Sequence, residues 1–179
     1  MLPRLPVLFL AAVMLACPAC VAPGYVNIPS QGGIAGSSPN SENVREVMAG
    51  AVAAAVEREP LEGPYEVLLP DRATQATYQD VVRRIGGGAV APDTLRDGVI
   101  PSVQVVAVRI RSGKAECDLI RPSPTGRGVV RVFLRFYTGG DWGVERVTPL
   151  RISPEDLLLQ GAVSETAPAP VPAGAGGAA

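Results

Sequence analysis

Two runs of alternating residues meet at Ser112-Gly113, and no other feature constrains the fold of this chain as much. "VQVVAVRIR" precedes the pair and "KAECDLIR" follows it. A two-residue turn there sets Ile110 against Ala115, Val108 against Cys117 and Val106 against Leu119 on one face. The other face then carries Arg109 against Glu116. A slip of one residue would send every apolar side chain of a strand to the wrong face. One register that satisfies both the apolar pairs and the opposite charges therefore predicts an antiparallel hairpin.

A second hairpin is expected in "VVRVFLRFYTGGDWGVERV". A two-residue Gly139-Gly140 turn would set Leu134 against Glu145. A three-residue loop of Gly139, Gly140 and Asp141 does better, with a glycine free to take positive φ. It pairs Phe136 with Val144 and Thr138 with Trp142 on the core face, and Arg135 with Glu145 outside. Arg146 is left opposite Leu134, where the strand is expected to bend or lose its core face.

Helical patterns come before the strands. Val44, Val47, Met48, Ala51, Val52, Ala55 and Val56 recur at the spacing of one helix face, with Ser41 as N-cap and Pro60 as stop. "YEVLLP" reads as a short strand. A second helix is expected from Thr74, with Tyr78, Val81, Val82 and Ile85 on one face and Gly86 as its cap. "GGGAVAPDTLRDGVIP" reads as loop, and its "GGG" at 86 to 88 reads as a cap, because it follows a helix and lacks the Lys-Ser/Thr pair of a phosphate-binding loop. "SPED" opens a short helix, Pro154 to about Gln160, ending at Gly161. The expected fold is α+β, two N-terminal helices packed on a four-stranded antiparallel meander sheet.

The element order, and a last hairpin ending in "GDWGVERV", resemble the NTF2-like or cystatin-like folds over roughly residues 41 to 152. That resemblance implies a curved sheet wrapped around a long N-terminal helix. In NTF2-like enzymes acid, tyrosine or histidine groups act inside the cone, and the corresponding candidates are Tyr78, Asp80, Asp118, Tyr137 and Glu145. Such folds host many functions, so the fold alone assigns none.

Every residue from Leu5 to Leu15 is apolar apart from Pro6, about half the ~20 residues of a membrane helix. Arg4 precedes the run and small residues end it, which is the pattern of an export signal. Met14-Leu15-Ala16-Cys17 resembles a bacterial lipobox, which implies that Cys17 is lipidated and becomes the mature N-terminus; Cys20 is the alternative. A Cys-x-x-Cys redox pair requires a folded helix start to lower a thiol pKa. Here the pair precedes the Gly-, Ser- and Pro-rich "VAPGYVNIPSQGGIAGSSPN". The expected organisation is a signal peptide over 1–16, a flexible tether over 17–40, a globular domain over 41–161 and a disordered Ala/Pro/Gly tail over 162–179.

Composition narrows the chemistry. The chain has no histidine, which removes the commonest general base and metal ligand. A net charge of −1 gives no basic excess for nucleic acid. Cys117 stands alone in a strand, where a small apolar role fits. No cofactor, no metal site and no catalytic residue are expected. Arg109, Arg131 and Arg135 recur at strand alternation and form the candidate partner-binding set, although Glu116, Asp118 and Glu145 interleave. The functional expectation is a lipid-anchored envelope protein, facing periplasm or exterior, that presents a small interaction domain. Its partners would be the membrane, through the anchor, and an envelope protein. The alternative is a pocket between helix and sheet for a small apolar ligand, with a divergent enzyme third.

Overall fold

The computed structural model describes residues 25–29, 38–92 and 100–163, with side chains described as far as Leu159. The expected export signal, Cys17, Cys20 and the expected tail beyond Val163 lie outside the described residues. The elements run β1 (Val26–Ile28), α1 (Glu42–Arg58), β2 (Tyr65–Leu68), α2 (Gln75–Ile85) and β3 (Ala89–Val90). They continue with β4 (Ser102–Arg111), β5 (Lys114–Ser123), β6 (Gly126–Phe136), β7 (Trp142–Leu150) and α3 (Pro154–Val163).

The fold is α+β: α1 and α2 pack on a mixed sheet whose greater part is the antiparallel meander β4–β7. The sheet is larger than the four strands expected. It has the order β3-β2-β4-β5-β6-β7, with β1 paired to β4 as a seventh strand. The free edge of β4 is shared. β2 runs parallel along its start, Val67 opposite Val103, and β1 runs antiparallel along its end, Val26 opposite Ile110.

β1 corrects the expected tether. Val26 and Ile28 are buried in the main core, so the folded unit includes residues from the stretch read as flexible. Three residues in a Gly/Ser/Pro-rich context are too few to show a period. The two-residue β3, inside the expected loop, escapes for the same reason.

The first hairpin has the expected turn. Ser112 and Gly113 both take positive φ, 46° and 79°, as a type I′ turn requires. Val108 meets Cys117 and Ile110 meets Ala115 as expected, but Val105, not Val106, meets Leu119. A bulge between Val105 and Ala107 accounts for the difference. It turns Val106 to the opposite face, where Val106 packs with Ile120, Val129 and Leu157.

The second hairpin corrects the expected register. Tyr137 N–H donates to the Asp141 carbonyl at 2.9 Å, so the three-residue loop is Thr138-Gly139-Gly140. Gly140 takes φ 93° at the last loop position, where the left-handed residue of such a loop belongs. Phe136 therefore meets Trp142, and Leu134 meets Val144. A bulge at Glu145 then sets Arg146 opposite Phe133, which removes the Leu134–Arg146 mismatch. The Arg146 guanidinium lies 4.2 Å from the Phe133 ring centroid.

The core lies between α1 and the sheet. Val44, Val47, Met48 and Val52 of α1 are closed to solvent, as are Val108, Ile110 and Leu119 of the sheet. At Gly50 the helix passes close to β6: a Cβ there would stand 3.2 Å from Leu134 Cδ2. Arg121, buried in β5, reaches over to the end of α1 and donates to the carbonyls of Ala55 and Glu59. Two of the carbonyls left open at a helix C-terminus are thereby satisfied. α2 begins at Thr74, whose hydroxyl accepts from Thr77 N–H, and ends at Gly86. α3 starts at Ser153, whose Oγ accepts from Asp156 N–H at 3.0 Å. It continues through Gly161 to Val163, past the expected end.

Candidate interaction surface

Strand alternation places Arg109, Arg131 and Arg135 on the face of the sheet away from α1, as expected. That outer face is organised in rows across neighbouring strands. Its deepest part is apolar: Ile120 and Val129 lie under Leu157 of α3. The next row sets Ala107, Asp118, Arg131 and Thr148 side by side. The row beyond carries Arg109, Glu116, Phe133 and Arg146, and the last before the turns carries Arg111, Lys114, Arg135 and Gly143.

The middle rows neutralise themselves. Asp118 is fully buried, and Arg131 meets it with Nε to Oδ1 at 2.6 Å and Nη2 to Oδ2 at 3.0 Å. Arg109 donates to the same carboxylate from the other side and lies 3.5 Å from Glu116. The hydrogen bonds from Arg131 to Asp118 raise its guanidinium pKa further above the usual arginine value. Two of the three arginines of the candidate set thus spend their donors on one buried acid. The third, Arg135, pairs with Glu145 at 2.5 Å on the exposed rim.

No family model, curated protein or solved structure matches this chain. The likeness to NTF2-like and cystatin-like folds rests on element order alone.

The acids and tyrosines which that likeness singles out do not converge. Tyr78 Oη accepts from Leu69 N–H at 3.1 Å, at the end of β2. Asp80 is buried on α2 among Arg45, Arg83 and Arg84, a cluster that joins α2 to α1. Asp118 and Glu145 lie toward the outer face, and Tyr137 is half exposed at the β6–β7 turn. Among the described residues no three of His, Cys, Asp and Glu are gathered where they would hold a metal ion. Burial pushes the Cys117 thiol far up from its ordinary pKa, which leaves it unsuited to act as a nucleophile.

An open cleft of about 400 Å³ lies between the two hairpin turns, lined by Lys114, Arg135, Phe136 and Tyr137 among others. The sequence reading missed this cleft and the buried Arg121. The signal available for the cleft was Lys114, the only lysine, directly after the turn. Arg121 stands next to Pro122 at the end of an alternating run and looks like an ordinary exposed charge.

Proposed function

We propose that this protein is an envelope lipoprotein, acylated at Cys17, that presents a small α+β domain close to a membrane and acts through contact, with no chemistry of its own. The observation that carries the reading is Met14-Leu15-Ala16-Cys17 at the end of an apolar run too short to span a bilayer. Among the described residues no helix is long and apolar enough to cross a membrane, so attachment would rest on that segment. β1 adds support, because Val26, part of the folded core, follows Cys17 by only nine residues of chain. The dispersal of Tyr78, Asp80, Asp118 and Glu145 supports a contact role over a catalytic one.

The test is metabolic labelling with a fatty acid. Wild type should carry label and Cys17→Ser should not. Label retained in that variant and lost in Cys20→Ser would move the anchor to Cys20. Label absent from wild type would overturn the reading.

A further inference from the structure

The last row of the outer face differs from the rows behind it. Arg111, Lys114 and Arg135 stand side by side on β4, β5 and β6, all exposed. The row behind them is offset by Glu116, and the next by Asp118. Here a single acid is paired in: Glu145, on Arg135. Asp141 sits on the adjoining turn. Among the described residues the Lys114 ammonium makes no ion pair.

A tyrosine closes each end of this row. Tyr25, 41% exposed, lies beside Arg111, whose guanidinium is 5.3 Å from its ring centroid. Tyr137, 50% exposed, lies across Gly143, where a Cβ would stand 2.5 Å from the ring. Tyrosine at the border of a membrane keeps its ring in the apolar zone and its hydroxyl in the headgroup layer. Cations beside it are drawn to an anionic lipid surface.

Chain length adds an independent constraint. Tyr25 follows Cys17 by eight residues, which span at most about 29 Å fully extended, and Cys20 by five, at most about 18 Å. β1 enters beside Ile110, so the chain arrives at the hairpin-turn end of the sheet. The opposite end, at Ser123–Gly126, is a ten-residue strand further away, about 33 Å. With the anchor at either cysteine, the hairpin end stays within that reach of the lipid, a limit that does not apply to the opposite end.

We infer that the row Tyr25–Arg111–Lys114–Arg135–Tyr137 is a contact surface for anionic phospholipid headgroups, which seats the domain on the membrane that holds its anchor. The placement rests on the lipid-anchor reading, while the affinity of the row for anionic lipid does not.

The experiment uses the full chain carrying Cys17→Ser and Cys20→Ser, so that no acyl chain contributes. Its flotation is compared on vesicles of phosphatidylcholine alone and of phosphatidylcholine with phosphatidylglycerol. Each basic residue at an anionic surface is worth about fivefold in partitioning. Adding Arg111→Glu and Lys114→Glu should therefore lower the phosphatidylglycerol-dependent fraction by more than tenfold, with an unchanged melting midpoint and unchanged binding to phosphatidylcholine. Glu145→Gln should raise it, a gain that misfolding would not produce. Equal partition of all these proteins on both vesicles overturns the inference. Labelling of the wild type reports on the anchor separately. Labelled protein with no phosphatidylglycerol preference sinks the surface and leaves the anchor; unlabelled protein with the preference does the reverse.

Discussion

Arg131 holds Asp118 through two hydrogen bonds, at 2.6 and 3.0 Å, and Asp118 has no solvent exposure. A carboxylate buried so deeply is tolerable only because Arg131 and Arg109 both face it. The pairing makes these arginines structural members of the sheet first. It leaves the end of the sheet, where the cations outnumber their acids, as the part of the face with charge to offer a partner.

Asp118→Ala should be among the more damaging changes on the outer face. It removes the shared acceptor of two arginines that are themselves partly buried. Breaking a buried pair by deleting one partner costs about 3–5 kcal/mol, and the partial exposure of the arginines places this one at the low end. Urea unfolding measures it. A loss under ~1 kcal/mol would mean that the arginines find water as readily as they find Asp118.

Arg135→Ala should behave differently although it too breaks an ion pair. Its bond to Glu145 lies at the exposed rim, where such pairs are worth ~1 kcal/mol or less and weaken with salt. Leu134, its neighbour, is 1% exposed under α1, so Leu134→Ala should cost about 2–5 kcal/mol. If the two variants melted together, the faces of β6 would be assigned wrongly.

Arg121→Lys should fail to replace arginine. The Arg121 side chain donates through separate nitrogens to the carbonyls of Ala55, Glu59 and Pro122, a fork that a single ammonium cannot copy. The expected result is faster hydrogen exchange in the last turn of α1 together with a lowered melting midpoint. Wild-type exchange in that turn would show that the helix end needs no such cap.

Cys117 should make stability fall in alkali. Its folded pKa is raised by burial, so the native thiol stays neutral while the unfolded one ionises above about pH 8.5. The thiol's contribution is therefore intact below that pH and declines as pH rises beyond it; Cys117→Ala should flatten this limb. In the Cys17→Ser, Cys20→Ser background, the native protein should resist maleimide and react once unfolded. Rapid labelling of the native state would place Cys117 at the surface.

The sequence determined the elements whose signal repeats within one segment. α1 was readable because its apolar positions recur on four successive turns, and the β4–β5 hairpin because the apolar and the charged pairs agreed on one register around Ser112-Gly113. The helix start at Ser153 was readable from its capping residue, and that near Thr74 from the apolar face that follows it. The outward direction of Arg109, Arg131 and Arg135 followed from alternation alone. Tertiary structure decided what local pattern cannot carry. β1 and β3 exist because partner strands supply the hydrogen bonds that three or two residues cannot organise for themselves. The bulges at Val106 and Glu145 arise where two faces compete, one turning an apolar side chain to α3 and the other matching Leu134 with Val144. The burial of Arg121 and Asp118 belongs to this second kind, because a charge is kept inside only by partners that the fold brings from elsewhere in the chain.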